Sequence, residues 1–255
     1  MTASATATRV VIIGATGRMG LSLLRLLPEF PALSLHGAVA AAGDPQLGRD
    51  SGELIGASAS GVKVSADLPA ALRAGALAID FSTAAAGAAQ VQACAAAGVP
   101  LLLGTTGLGP EMAAVLEQAA RRIPLLVAAH TSQAVTLLLE LVGRAAAALG
   151  GDFDVQIQEI HHRAKLDSPS GTALALGAAV MEARGPSRPV GYASMRGGDV
   201  VGEHQVHFLG PGERLCLSHF ATDRTIFARG ALRAGCWLAG QPPGAYRMAD
   251  ACREK

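Results

Sequence analysis

The sequence has little of what marks a nucleic-acid-binding, membrane or secreted protein. Charged residues are 16% of the 255 and aromatics 4%. The 21 Lys and Arg nearly balance the 20 Asp and Glu, so the net charge is +1. No basic run stands out, which leaves nucleic acid and acidic lipid surfaces without an electrostatic footprint. Cysteine is scarce and scattered: Cys94, Cys216, Cys236 and Cys252 form no CxxC pair. Neither a disulfide framework nor a thiolate metal site is expected, and the four read as reduced thiols. Met1 to Thr8 lacks the apolar stretch of a signal peptide and reads as a frayed tail. No apolar run reaches the roughly 18 residues of a membrane span. The longest candidate, Leu125 to Leu149, is broken by His130, Gln133, Glu140 and Arg144. The expected setting is the cytoplasm, with no membrane and no nucleic-acid partner.

What is present is apolar. Half of the residues are hydrophobic, enough for two domains of unequal size, each with its own core. The β-branched run Val10-Val11-Ile12-Ile13 suits a strand covered on both faces. Gly14-Ala15-Thr16-Gly17-Arg18-Met19-Gly20 follows, then a helical pattern through Leu21, Leu24 and Leu27. In a strand–turn–helix unit, Gly14 allows the tight exit and Gly17 removes a Cβ where a pyrophosphate approaches. Gly20 lets helix and strand pack closely, and the helix-start N–H groups hold the phosphate. A dinucleotide, NADH or NADPH, is the expected ligand. A second strand, Leu33 to Val39, ends in Ala40-Ala41-Ala42-Gly43-Asp44. The acid that normally grips the adenosine ribose is therefore missing or displaced to Asp44, which leaves the choice of nucleotide open.

Asp44 to Lys63 reads as a loop. Strands are expected at Val62 to Ala66, Leu77 to Ser82, Val99 to Leu103 and Pro124 to Ala128, and helices at Leu68 to Leu72, Ala84 to Ala97 and Glu111 to Arg121. This alternation implies a doubly wound parallel sheet. Polar clusters follow the strands at Asp80-Phe81-Ser82, Gly104-Thr105-Thr106-Gly107 and His130-Thr131-Ser132. All lie at carboxyl ends, where such sheets bind ligands.

A long helix, Ala134 to Leu149, leads into a second domain. A strand from Phe153 to Ile160 delivers Glu159-Ile160-His161-His162-Arg163-Ala164-Lys165-Leu166-Asp167-Ser168-Pro169-Ser170-Gly171-Thr172. His161 and His162 point to opposite sides of that strand. Ser170, Gly171 and Thr172 open a helix, Leu174 to Glu182, whose first N–H groups suit a carboxylate. A histidine there can move a proton near neutral pH. The rival readings are a solvated polar turn, or a metal site using Glu159, His161, His204 and His207. His204 and His207 face opposite sides of their strand and no HExxH occurs, so no metal is expected. After Pro189 come short β-type runs at Gly191 to Met195, Val200-Val201, Gln205 to Leu209, Arg214 to Phe220 and Thr225 to Ala228. A helical pattern follows from Gly230 to Leu238, then a loop from Gly240 to Gly244 and a short tail helix. The expected fold class is α/β: a Rossmann-like doubly wound parallel sheet plus a second α+β domain with a mixed sheet.

The stretch Glu159 to Ala173 resembles the E-x-H-H-x-x-K-x-D-A-P-S-G-T-A motif of the 4-hydroxy-tetrahydrodipicolinate (dihydrodipicolinate) reductases. Gly14 to Gly20, Asp80-Phe81-Ser82, Gly104 to Gly107 and Arg196-Gly197-Gly198-Asp199-Val200-Val201-Gly202-Glu203-His204 extend the resemblance over nearly the whole chain. It implies an NADPH- or NADH-dependent reductase of lysine and diaminopimelate synthesis, acting on a cyclic dicarboxylate and commonly a homotetramer joined through the second-domain sheets. Gly14, Ala15, Thr16, Gly17, Arg18, Met19 and Gly20 would then hold the pyrophosphate. Gly104, Thr105 and Thr106, with Ala128, Ala129, His130 and Thr131, would line the nicotinamide end. His161 would be the catalytic acid and Lys165 a second proton donor. His162, Lys165, Ser170, Gly171 and Thr172 would bind carboxylates. The nucleotide domain would span residues 1–131 and be joined by 229–255. The substrate and oligomerisation domain would span 132–228 and would have to close over the first during turnover. Three positions depart from the family pattern: Ala40 to Ala42 lack the ribose acid, His130 replaces an Asn, and Ser168 replaces an Ala. Two other readings stay open, a nucleotide-sensing protein without turnover and a reductase of another cyclic imine acid.

Overall fold

In the computed structural model, residues 7–72, 77–185 and 189–253 are described. Residues 1–6 of the expected frayed tail lie outside them. The chain divides into two compact units, Met1–Thr131 with Phe227–Lys255, and Ser132–Ile226.

In the first unit, β1 (Thr8–Ile13) leads through the glycine turn into α1 (Arg18–Leu26). Next come β2 (Leu33–Val39), α2 (Ser51–Leu54), β3 (Val64–Ser65), α3 (Leu68–Leu72) and β4 (Leu77–Asp80). Then follow α4 (Ala84–Ala97), β5 (Leu101–Leu103), α5 (Met112–Ala120) and β6 (Pro124–Val127). In the second unit, α6 (Gln133–Leu149) is followed by β7 (Asp154–His161), α7 (Gly171–Arg184), β8 (Gly191–Arg196), β9 (Gly202–Leu209) and β10 (Arg214–Ala221). The chain ends in α8 (Thr225–Leu238), β11 (Gly244–Tyr246) and α9 (Met248–Arg253).

Among the described residues, the first unit forms a seven-stranded sheet in the order β11-β6-β5-β4-β1-β2-β3, with every pairing parallel. Alternate residues feed two cores, as the pleat requires. Val10, Ile12, Leu77, Ile79, Leu102 and Leu126 pack with α1 and α8. Val11, Ile13, Ala78, Leu101, Leu103 and Leu125 pack with α4 and α5. The strand order reverses at β1, so the turns after β1 and β4 flank the crevice where doubly wound sheets take ligands. The glycine spacing has a steric cause. A Cβ on Gly20 would lie 2.2 Å from the Gly14 carbonyl oxygen, and one on Gly14, at φ +78°, would lie 2.7 Å from the Phe81 carbonyl oxygen.

In the second unit, β10-β9-β7-β8 form a mixed sheet, antiparallel except for β7 with β8. Val155, Ile157, Val206 and Phe208 on one face meet Leu138, Val142 and Ala146 of α6 and Leu176 and Val180 of α7. By length and composition residues 133–152 could cross a membrane, at mean hydropathy 1.5. Here α6 instead turns Leu138, Val142 and Ala146 into that core.

Four local expectations change. Thr225 to Ala228 begins α8 instead of forming a strand. The Asp223 carboxylate accepts the Thr225 N–H at 2.7 Å, and buried Ala228, Ala231, Leu232, Gly235 and Leu238 continue one helical stripe from that start. Val200-Val201 precedes β9 and lies outside it. Gly244, expected in a loop, opens β11, which pairs with β6 from Gly244↔Pro124 to Tyr246↔Leu126. Three residues beside Pro242-Pro243 carry no readable alternation. The expected loop from Asp44 to Lys63 contains α2, started by the Asp50 carboxylate on the Gly52 N–H at 2.8 Å.

Gly20→Ala should destabilise the protein by about 3 kcal/mol, because the clash is with backbone that cannot rotate away. A lower denaturation midpoint in urea checks this, and an unchanged midpoint contradicts it.

Candidate active site

The carboxyl edge of the first unit's sheet is built for an anionic, extended ligand. Val39 carbonyl oxygen accepts the N–H groups of Gly14 at 2.9 Å and Ala15 at 3.0 Å, pinning the glycine turn to the end of β2. Gly17 caps α1 and no side chain accepts there. The first-turn N–H groups of Arg18, Met19 and Gly20 therefore have no intrahelical acceptor. Gly17 and Arg18 are exposed. This cradle fits a pyrophosphate. Thr16, by contrast, turns its hydroxyl to Asp44, Oγ1 to Oδ2 2.6 Å.

Phe81, not among the expected contact residues, is central to this edge. Its carbonyl blocks any Cβ on Gly14, and its ring would lie 2.3 Å from a Cβ on Gly104. Two distant glycines thus make room for one phenylalanine. Thr105 is buried, with Oγ1 3.4 Å from Asp80 Oδ1. Burial pushes the Asp80 carboxyl up, against the hydrogen bonds from Ser82 and Thr105. Thr106 and Ala129 are exposed, Ala128 is buried and His130 is half-buried. Thr131 is buried and donates its hydroxyl to Phe227 carbonyl oxygen at 2.5 Å.

In the second unit the inner face of the sheet turns from apolar to polar along its strands. Register places Ser194, Glu159, His204 and His219 side by side, and next to them Arg196 beside His161. Glu159 is fully buried. Its Oε1 accepts from Arg196 Nη2 at 2.7 Å and from the Ser170 N–H at 3.2 Å. Its Oε2 accepts from Arg196 Nη1 at 2.8 Å and lies 2.5 Å from His161 Nδ1. Burial alone would raise this carboxyl, but Arg196, then His161 and Ser194, hold it down at about 2. An ionised Glu159 keeps the proton on His161 Nδ1 and leaves Nε2 as the working nitrogen. Nε2 lies against Gly202, where a Cβ would come within 3.0 Å. Burial lowers the His161 pKa, and the Glu159 contact opposes that shift.

Ser170 is turned inward. Its Oγ accepts from Ala173 N–H at 3.2 Å as the N-cap of α7, and lies 3.0 Å from His204 Nε2. Of the expected Ser170-Gly171-Thr172 set, Gly171 is exposed and Thr172 half-buried. Their first-turn N–H groups are the ones without an intrahelical acceptor. His204 is 4% exposed and packs edge-on to His161 at 5.2 Å. Burial, reinforced by the charge of His161, pushes its pKa down to about 4. Lys165 Nζ binds both oxygens of Asp167 at 2.8 Å. His162 is half-buried and lies just beyond the end of β7. Among the described residues no group of three or more His, Cys, Asp or Glu is placed to hold a metal ion.

Two family descriptions match the chain: "Dihydrodipicolinate reductase, N-terminus" over residues 8–131, and its C-terminus counterpart over 134–252. The chain belongs to the dihydrodipicolinate reductase family. Its members are NAD(P)H-dependent oxidoreductases. The 4-hydroxy-tetrahydrodipicolinate reductase of Anaeromyxobacter dehalogenans is 46% identical over 95% of this chain and 97% of its own. That of Methylocella silvestris is 43% identical over 95% and 96%. Among solved structures, a dipicolinate-bound dihydrodipicolinate reductase from Paenisporosarcina sp. TG-14 superposes with TM-score 0.79 at 22% identity, covering 95% of this chain and 98% of that one. An amine dehydrogenase from Mycobacterium smegmatis shares the fold at TM-score 0.64 and 16% identity, covering 95% of each chain.

Missing from the expected site residues were Arg196, Glu159, His204 and Phe81. Three of these face their partners only through strand register, which alternation within one strand does not encode.

Glu159→Gln should lower the His161 pKa further, because its largest raising contact is gone. It should also lower stability, because Arg196 loses its carboxylate partner. Titration of the His161 ring signals and urea unfolding read the two effects. A second outcome concerns His204. Its folded pKa of about 4 lies below the ordinary histidine value of 6.5, so the unfolded chain takes up the proton first as pH falls. Its contribution to stability is complete above 6.5 and is lost toward pH 4, on the order of 3 kcal/mol at 1.36 kcal/mol per pH unit. His204→Gln should flatten the stability profile in that window, and an unchanged slope contradicts this.

Proposed function

We propose that the chain reduces 4-hydroxy-tetrahydrodipicolinate (dihydrodipicolinate) to tetrahydrodipicolinate in lysine and diaminopimelate synthesis. The observation that carries this reading is the buried Glu159 carboxylate, with Arg196 and His161 within 2.8 Å of it. It belongs to a chain that matches the family over residues 8–131 and 134–252. NADH or NADPH, held by Gly14 to Gly20, would supply the hydride for ring carbon 4 of the conjugated imine left after water departs.

The chain's own residues do the rest. His161 presents Nε2 as the acid that protonates the reduced ring, and Glu159 fixes its tautomer and supports the imidazolium before transfer. Lys165 is the second proton donor and a carboxylate ligand; it exchanges Asp167 for the substrate. The free N–H groups of Gly171 and Thr172, at the positive end of α7, take a carboxylate, and His162 is a further carboxylate ligand. Ser170 contributes through its N-cap and its contact with His204. In the first unit, Gly14 to Gly20 hold the pyrophosphate. Gly104, Thr105 and Thr106, with Ala128 to Thr131, line the nicotinamide end around Phe81. Residues 1–131 with 229–255 serve the nucleotide, and 132–228 serve substrate and assembly.

A homotetramer is supported by the face of the second sheet opposite the one that α6 and α7 cover among the described residues. There Met195, Ile160, Glu203 and Phe220 share a row, with Met195 and Phe220 exposed. A cytoplasmic setting fits cysteines that form no disulfide among the described residues.

The purified protein should oxidise NADH or NADPH when given the condensation product of pyruvate and aspartate semialdehyde. A folded, nucleotide-binding sample that does not turn over with either cofactor contradicts the enzyme reading. His161→Gln should lose on the order of a hundredfold or more in kcat with little change in KM. Lys165→Ala should lose kcat and raise KM together. Wild-type kinetics in both variants would remove the assigned roles.

A further inference from the structure

We propose that Asp44 is the acid that receives the adenosine ribose hydroxyls, and that this chain therefore prefers NADH to NADPH. This rests on the reading of the glycine turn as the nucleotide site.

In doubly wound nucleotide sheets the ribose-binding acid lies about 20 residues beyond the glycine turn, after the second strand. Ala40, Ala41 and Ala42 occupy the strand end and carry no charge. The chain then folds back: Asp44 N–H donates to Ala41 carbonyl oxygen at 3.0 Å. The reversal brings the Asp44 carboxylate against the glycine turn, where Thr16 donates to Oδ2 at 2.6 Å. The same turn is pinned to the end of β2 through the Val39 carbonyl. So Asp44 reaches in space the place that Ala40 to Ala42 leave empty in sequence.

Its chemistry suits a diol. Oδ1 accepts from Gln46 N–H at 2.8 Å, and each oxygen keeps a further lone pair for a ribose hydroxyl. The hydrogen bonds from Thr16 and then Gln46 hold the carboxyl below its ordinary pKa, so it is an anion at neutral pH. An anion accepts from a 2′-hydroxyl and repels a 2′-phosphate. The basic residue of the same loop, Arg49, donates to Gln46 Oε1 at 2.5 Å. The competing role for Asp44 is that of a loop staple, holding residues 41–46 to Thr16 without meeting the nucleotide.

Calorimetric titration of the full chain with NADH and NADPH, and with 5′-AMP and adenosine 2′,5′-bisphosphate, separates these roles without relying on turnover. The wild type should bind NADH about tenfold or more tighter than NADPH, and 5′-AMP tighter than the bisphosphate. Asp44→Asn, with Asp44→Ser as a second variant, should narrow both ratios by weakening the 2′-hydroxyl ligand and strengthening the 2′-phosphate ligand. Equal wild-type affinities, tighter NADPH, or variants that weaken both nucleotides by the same factor overturn the proposal. Binding of neither nucleotide by folded wild-type protein overturns the glycine-turn reading, and this proposal with it. Tight binding of both with altered ratios but no turnover fails only the reaction assigned above.

Discussion

The second unit depends on one buried carboxylate. Glu159 is fully enclosed, and an enclosed charge is tolerable only when every lone pair has a donor. Its donors come from four places: Arg196 at the end of β8, His161 two residues on, the Ser170 N–H at the start of α7, and Ser194 across the sheet. The charge thus ties two strands and a helix start into one arrangement. Arg196 also donates to the Asp167 carbonyl at 2.7 Å, which anchors the segment carrying Lys165. Desolvation lowers the basicity of His161 while Glu159 restores part of it.

The first unit depends on a steric constraint of the opposite kind, on absent atoms. Gly14, Gly20 and Gly104 each stand where a Cβ would strike Phe81 or the turn itself. Removing those carbons lets the end of β1, the end of β4 and the start of α1 converge. The first turn of α1 has no side-chain cap and is exposed at Gly17 and Arg18. One unit makes its site by burying a charge with its partners. The other makes its site by leaving backbone donors without any.

Much of this was legible beforehand. The β-branched run of β1, the glycine spacing, and the helices Ala84–Ala97 and Leu68–Leu72 were readable because each signal lies within a few residues of chain. So was the inward alternation of β7, with Val155 and Ile157 buried and Gln156 exposed. Failures came where a local helix start went unread or where the deciding contact was remote. Thr225 and Ile226 have β-branched side chains, yet the Asp223 cap and the buried stripe beyond them make a helix. Gly244 to Tyr246 becomes a strand only because the edge of β6 accepts it.

The sequence by itself determined the alternating α/β pattern, the glycine turn, the family, and the presence of His161, Lys165 and the α7 start in one stretch. These follow from local backbone preferences and short spacings, which a linear chain encodes directly. The tertiary structure alone decided that Arg196 and His204 stand beside Glu159. It also decided that Ser170 faces inward while Gly171 and Thr172 stay open, and that Asp44 folds back onto Thr16. Each of those depends on strand register or chain reversal, which brings together residues that no spacing along the chain relates.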